Sequence, residues 1–302
     1  MAKIMYKSIR FGKAKAELIE KCNLIVSDYV AQGYDMTVRQ LYYQLVARDE
    51  IKNEQREYNR LGKTVSEARR AGLLDWDHIV DRTRNLRKQA HWESPDEIVS
   101  AVAKQFKIDK WASQSFRPEV WIEKDALVGV IERVCNQLDV PFFSCRGYTS
   151  DSEMWSAAQR LSYWKEQGQT PIIFHFGDHD PSGIDMTRDI FDRLEMFSGF
   201  PLEVKRLALN QSQIEQYDPP PNPAKLADSR AADYVKKFGY ESWELDALNP
   251  AVLSNLVATN IESILDRDEW DTAKTEEESH RLVLQKISRN FSQVTRYVEK
   301  SL

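Results

Sequence analysis

Residues 171–186 read PIIFHFGDHDPSGIDM. The apolar run up to Phe176 has the length of a buried strand, and Gly177, Pro181 and Gly183 break it into an acidic loop. Upstream, EVWIEKD (119–125) is a second short apolar stretch ending in charge, and VPFFSCRGY (140–148) is a third that runs into a glycine turn. ALVGVIERVCNQL (126–138) and DSEMWSAAQRLSYWKEQ (151–167) separate them and carry helical periodicity. Strands spaced by helices of this length predict parallel strands with right-handed crossovers, hence an α/β sheet with helices on both faces. In such sheets chemistry collects at the carboxyl ends of the strands.

All three strands end in reactive residue types: Glu123, then Arg146-Gly147-Tyr148, then Asp178-His179-Asp180. A lone Glu after a strand is most often solvated, and Asp-x-Asp arises readily by chance among 47 acidic residues. Their coincidence at consecutive strand ends, followed by a glycine that permits close backbone approach, is what points to a site. Carboxylates drawn together repel unless a divalent cation lies between them. Oxygen ligands without thiolates favour Mg2+ or Mn2+ over zinc, which suggests phosphate chemistry. His175 alternates into the sheet and reads as packing, with His179 flanking the acids.

The 302 residues are 42% hydrophobic and 29% charged, with 11 Gly and 11 Pro, which excludes fibrous and low-complexity chains and favours two packed units. No apolar run has membrane-spanning length and the first residues carry no signal-type core, so a cytoplasmic protein is expected. Cys22, Cys135 and Cys145 are too widely spaced for a zinc finger or a disulfide framework. The net charge of −5 is uneven: residues 1–92 hold 18 Lys and Arg against 12 Asp and Glu, a net of +6, and the remainder carries −11. The N-terminal third is therefore the part suited to a polyanion.

That third begins with an amphipathic helix over 14–32, closed by Gly33. Thr37 reads as the N-cap of TVRQLYYQLVARD, and Thr64 as the start of a helix carrying Arg69 and Arg70. A strand-like stretch follows around His78 to Val80. Three helices and a short strand pair are the order of a winged-helix DNA-binding unit. Ser94-Pro95 starts a further short helix, and the polar stretch SQSFRP (113–118) suits a linker, which places a boundary near residue 110. Arg69 and Arg70, with Arg82, Arg84, Arg87 and Lys88 beyond the wing, are suited to tracking phosphates, and Lys124 and Arg146 to holding one at the acids.

A strand ending in Glu, a strand ending in Gly and a strand ending in Asp-x-Asp-Pro-x-Gly resemble the TOPRIM domain of topoisomerases, primases and OLD-type nucleases. GDHDPSGIDM together with CRGY is most similar to the A subunit of topoisomerase VI and the related meiotic double-strand-break protein, in the compact stand-alone form called Mini-A. The resemblance covers roughly residues 35–200. It implies a winged-helix domain (1–110) followed by a Rossmann-like, mostly parallel TOPRIM domain with a C-terminal helical extension (111–302), and a homodimer that cuts DNA. It assigns Glu123, Asp178 and Asp180 as Mg2+ ligands, with Glu123 also handling the proton of the leaving 3′-oxygen.

The family's nucleophilic tyrosine lies in a segment resembling R-x-x-Y-Y, matched here by Arg39, Tyr42 and Tyr43, and the match assigns attack to Tyr43. A phenol titrates near pH 10 and needs help to attack, and Arg39, one helical turn away, offers a cation. Periodicity places Tyr42 on the apolar side of its helix and Tyr43 on the side of Arg39 and Gln40. In the family mechanism each tyrosine forms a 5′-phosphotyrosyl link and is served by the partner protomer's metal site. The family's Gly-Tyr-Pro is Gly147-Tyr148-Thr149 here. No ATPase module is present in this sequence, so strand passage would need a separate B-type subunit. Two other functions fit the residues: a TOPRIM endonuclease that uses water as nucleophile, and a non-catalytic DNA-binding or assembly protein. Residues 201–302 suggest no catalytic group.

Overall fold

A computed structural model describes residues 3–80 and 89–301. The elements are, in order, helices α1 (Lys13–Ala31), α2 (Val38–Ala47), α3 (Gln55–Arg70) and α4 (Pro95–Gln105); strand β1 (Phe116–Ile122), α5 (Val128–Gln137), β2 (Phe142–Ser144) and α6 (Asp151–Glu166); then β3 (Thr170–Phe176), α7 (Pro181–Ser198), β4 (Glu203–Ala208) and α8 (Gln211–Tyr217). They are followed by β5 (Asn222–Pro223), α9 (Ala231–Phe238), β6 (Glu241–Ser242), α10 (Pro250–Glu262), α11 (Arg267–Arg289) and α12 (Phe291–Ser301). The chain forms two compact units, Met1–Arg84 with Pro118–Ser263, and Asn85–Arg117 with Ile264–Leu302, so residue 110 lies inside the smaller one.

In the larger unit the expected α/β architecture is present. Strands β2, β1, β3 and β4 form a four-stranded parallel sheet in that order, with Trp121 opposite Phe143 and Phe174 opposite Lys205. Burial explains the strands: all but the first residue of β3 are buried, as are the last five of β1. One core gathers Trp121, Met154, Leu161, Ile173 and Leu194 between sheet and helices; a second gathers Ile25, Leu41, Leu45 and Leu61 of α1–α3 and also takes in Ala247, far along the chain. Each such aliphatic side chain contributes roughly 1.5–3 kcal/mol, so Ala247 and its neighbours are held against α2 by the same force that folds the helices.

Local signals account for several element ends. Thr37 caps α2 in a reciprocal box with Gln40, as its position predicts. Thr64 is not a cap: α3 starts nine residues earlier, at Gln55, and the buried Thr64 hydroxyl donates to the Arg60 carbonyl at 2.9 Å. The strand pair expected around His78 reduces, among the described residues, to a one-residue bridge between Ile79 and Met36. The wing and its Arg82, Arg84, Arg87 and Lys88 lie outside the described residues.

In the smaller unit α4 packs along α11, and the buried Lys110 ammonium pairs with Glu277. Gln114 and the backbone of Asp266 exchange two hydrogen bonds, 2.7 and 2.9 Å. The C-terminal helical extension ends in two helices, α11 and α12, parted at Asn290. Among the described residues no helix is long and apolar enough to cross a membrane.

Candidate functional site

The parallel sheet delivers Glu123 and Asp178 to neighbouring strand ends, where a Glu123 carboxylate oxygen accepts from the Asp178 amide at 2.9 Å. Asp180 begins α7. Its Oδ1 accepts from the Gly183 amide at 2.7 Å and from the Ser182 hydroxyl at 2.9 Å, which caps the helix, while Oδ2 lies 3.7 Å from Lys225 Nζ. The turn between them admits only glycine at 183, where a Cβ would stand 2.3 Å from the Asp178 carbonyl oxygen. Arg206 of β4 locks this loop from below, donating to the carbonyls of Gly177 (2.8 Å), Asp178 (2.6 Å) and Gly183 (2.8 Å). Burial lowers its guanidinium to about 10, still charged at neutral pH.

Two further acids enter from a segment in which the sequence suggested nothing. Residues 242–246 pass alongside the acidic loop, tied by mutual backbone hydrogen bonds between His179 and Trp243 (2.8 and 2.9 Å). The Leu245 amide donates to Asp178 Oδ1 at 2.7 Å. Asp178, Glu244 and Asp246 each offer one oxygen within 4.8 Å of one another, a set that could hold a metal ion. The only local signal was the E-x-D spacing of Glu244 and Asp246, which repeats the D-x-D of the loop but does not stand out in so acidic a chain.

Lys124 reaches into that set. Its ammonium lies 2.9 Å from Asp178 Oδ1 and 2.6 Å from Asp246 Oδ1, and it also pairs with Glu244. Burial opposes its charge, but Asp178, Asp246 and Glu244 hold it well above the usual lysine range. Asp178 is driven the other way: burial and crowding by Glu123, Glu244 and Asp246 outweigh Lys124 and raise its carboxyl well above the usual value. Burial likewise raises Glu123, whereas the half-buried Glu244 is lowered by Lys124 and Arg39.

Arg39 and Tyr43 meet the same acids. Arg39 lies 3.2 Å from Glu244 and 3.3 Å from Asp246 Oδ2, and its guanidinium stands 5.8 Å from the Tyr43 ring centre. Tyr43 stands on the side of Arg39, as the helix periodicity predicts, but that side is also covered: Tyr43 is only 6% exposed and Tyr42 4%. The face that would be solvated on an isolated α2 is covered by the helical turn Leu245–Ala247. Burial, with Glu244 and Asp246 nearby, pushes the Tyr43 hydroxyl up to about 12. The Tyr42 hydroxyl instead bonds to Asn53 at 3.0 Å. A cleft of about 370 Å3 opens here, lined by Arg39, Tyr43, Tyr58, Asp180, Lys225 and Glu244 among others.

The other expected phosphate-binding residues are spread out. Arg69 donates to the carbonyls of Asp75 (2.9 Å), Trp76 (3.2 Å) and Ile79, clasping its own loop. Arg70 bonds to Ser66 at 2.9 Å, and the exposed Arg146 bonds to Asp125 at 3.1 Å. Lys124 is spent on the acids. His175 is fully buried, bonded through Nδ1 to Thr187 at 2.8 Å, and burial lowers it to about 3.

The donor set suits a hard divalent cation. Five carboxylates (Glu123, Asp178, Asp180, Glu244 and Asp246) stand with four cations, Lys124, Arg39, Arg206 and Lys225. The acids outnumber the cations, and an all-oxygen set of this kind is what holds a hard divalent ion. No family model matches the sequence, and no curated protein matches it.

Proposed function

We propose that this protein is a Mg2+-dependent DNA-cleaving enzyme of the topoisomerase VI A-subunit kind, in which Tyr43 attacks a backbone phosphate. The observation that carries the reading is the meeting of Tyr43 and Arg39 with Asp180 and Glu244 at one cleft, where Arg39 pairs with Glu244 and Asp246. Glu123, Asp178 and Asp180, with Glu244 and Asp246 beside them, would hold the ion. When bound, it supplies charge to the phosphate oxygens as negative charge builds in the transition state.

The chain's own groups handle the protons. Tyr43 Oη forms the new bond to phosphorus and the bond from phosphorus to the 3′-oxygen breaks, leaving a 5′-phosphotyrosyl link. Glu244, which lines the same cleft, takes the tyrosine proton as the new bond forms. Glu123, raised by burial, gives a proton to the leaving 3′-oxygen. Arg39 steadies the developing phenolate. Arg206 fixes the loop that aims Asp178 and Asp180.

One observation favours a second reading, hydrolysis by water: Tyr43 is nearly buried, and its hydroxyl is held at about 12. The deciding test is incubation of supercoiled plasmid with Mg2+ or Mn2+, a denaturant stop, and electrophoresis with and without protease. Tyrosine chemistry predicts cut DNA that carries protein and is absent with Tyr43→Phe. Cutting that persists in Tyr43→Phe and is lost in Asp178→Asn establishes the hydrolytic enzyme instead.

A further inference from the structure

The end of α3 carries a surface that the acidic site does not use. Residues 3–16 contain Lys3, Lys7, Arg10, Lys13 and Lys15 and no acid. Lys15 pairs with Glu67, whereas Lys3, Lys7, Arg10 and Lys13 are exposed. The segment is fixed against the end of the helix. Met5 makes an antiparallel bridge to Ala71, and the Tyr6 and Lys7 amides both donate to the Arg70 carbonyl, at 2.8 and 2.9 Å. Gly72 lets it lie there: its φ is +71°, and a Cβ would stand 2.9 Å from the Met5 nitrogen. None of these residues lines the cleft.

Pinning the segment holds large apolar side chains in water. Tyr6 is 71% exposed, Met5 68% and Trp76 38%, with Ile4 and Leu73 exposed beside them. Single exposed apolar residues are ordinary, but a contiguous group rimmed by cations marks a binding surface. The Trp76 ring is backed by the Arg69 guanidinium, 5.3 Å from its centre, and Arg69 is itself held by the carbonyls of Asp75, Trp76 and Ile79. Tyr6 meets Trp76 edge-on, with 5.9 Å between ring centres and 85° between planes, so the tyrosine ring is braced on one side and open to solvent elsewhere. Asp77 is the exposed acid of this turn, and the cations outnumber it. We propose that this surface binds single-stranded DNA, with one base stacked on Tyr6 and the neighbouring phosphates held by Lys3, Lys7 and Arg10. Unpaired bases offer flat apolar faces, whereas a duplex keeps those faces stacked inside and shows only edges and phosphates. An exposed ring among cations therefore fits an unpaired strand. The choice of DNA over RNA rests on the DNA-cleaving reading above; the surface itself does not.

Fluorescence anisotropy of the full-length chain tests this in chelator, so that no cutting intervenes. The probes are a labelled thymidine oligomer of about 12 nucleotides and an abasic oligomer of the same length. Tyr6→Ala should bind the thymidine oligomer about tenfold or more weakly than the parent, and Tyr6→Phe should bind it like the parent. The abasic oligomer should bind parent and Tyr6→Ala alike, whereas a merely structural tyrosine would weaken both probes together. Lys3→Ser with Lys7→Ser should lower the slope of log affinity against log salt by about 1.4, or about 0.7 for each phosphate released. Equal binding of the thymidine oligomer by Tyr6→Ala and the parent overturns the proposal, as does an equal loss on both probes. Tighter binding of a uridine oligomer than of the thymidine one moves the surface to RNA and overturns the proposal for DNA. A chain that shows the Tyr6-dependent binding and yet cuts no plasmid supports the surface and removes only the cleavage reading.

Discussion

Replacing Lys124 with Met should expose how the acidic cluster is balanced. The side chain keeps its length and loses its charge, so Asp178, Glu244 and Asp246 lose the ammonium that lies 2.6 Å from Asp246 and 2.9 Å from Asp178. Two carboxylates 4.8 Å apart repel by about 3.5 kcal/mol at an effective dielectric constant of about 20. Three such pairs exceed what a fold tolerates, so the cluster takes up a proton. Asp178, already raised, is the group that accepts it. The net cost is then that of breaking a buried ion pair, about 3–5 kcal/mol, or a fall in Tm of about 10 °C. Differential scanning fluorimetry at neutral pH in chelator should show this fall. Adding Asp178→Asn should recover part of it, and millimolar Mg2+ should raise the Tm of the Lys124→Met chain more than that of the parent. A Lys124→Met protein melting within about 2 °C of the parent in chelator would refute the reasoning, because the ammonium would then not be what holds the acids together.

Gly183→Ala should be severe for a residue change of one methyl group: the added Cβ would meet the Asp178 carbonyl oxygen at 2.3 Å, so the loop must open. A loss of about 2–4 kcal/mol in denaturant melts is expected, together with loss of cleavage, and a Gly183→Ala protein with parental activity would contradict the loop geometry. His175 makes acid pH costly. Its folded value of about 3 lies below the unfolded 6.5, so the unfolded chain binds the proton first; the stability is present above about pH 6.5 and is lost as pH falls toward 3. Between pH 7 and pH 5 the parent should lose about 2 kcal/mol more than His175→Gln, as read from guanidinium melts at the two pH values, and parallel losses would show that the imidazole is free to protonate in the fold.

The parts of the site legible in sequence were those carried by short stretches. The Phe176-to-Gly183 passage states a strand end and the acidic turn after it, and Thr37 states the start of α2. Glu244 and Asp246 were hidden because what brings them to the site is a long-range backbone bridge, His179 with Trp243. Periodicity separated Tyr42 from Tyr43 but could not show that the side of Tyr43 and Arg39 is covered too, because α2 is buried on that second face by residues two hundred positions away. Thr64 shows the limit of cap signals, since the same hydroxyl that caps a helix start also bonds back to the preceding turn. Arg69 carried the charge of a phosphate-binding residue, and three carbonyls of its own loop claim it.

The most direct test of the central claim is to find the covalent bond itself. Protein trapped on DNA with Mg2+ is denatured, digested with nuclease and protease, and sequenced by mass spectrometry. The account predicts a peptide spanning Val38–Ala47 with a nucleotide on Tyr43 and unmodified Tyr42. Cut DNA bearing free 5′-phosphates with no modified peptide, or a nucleotide on any other residue, would contradict it.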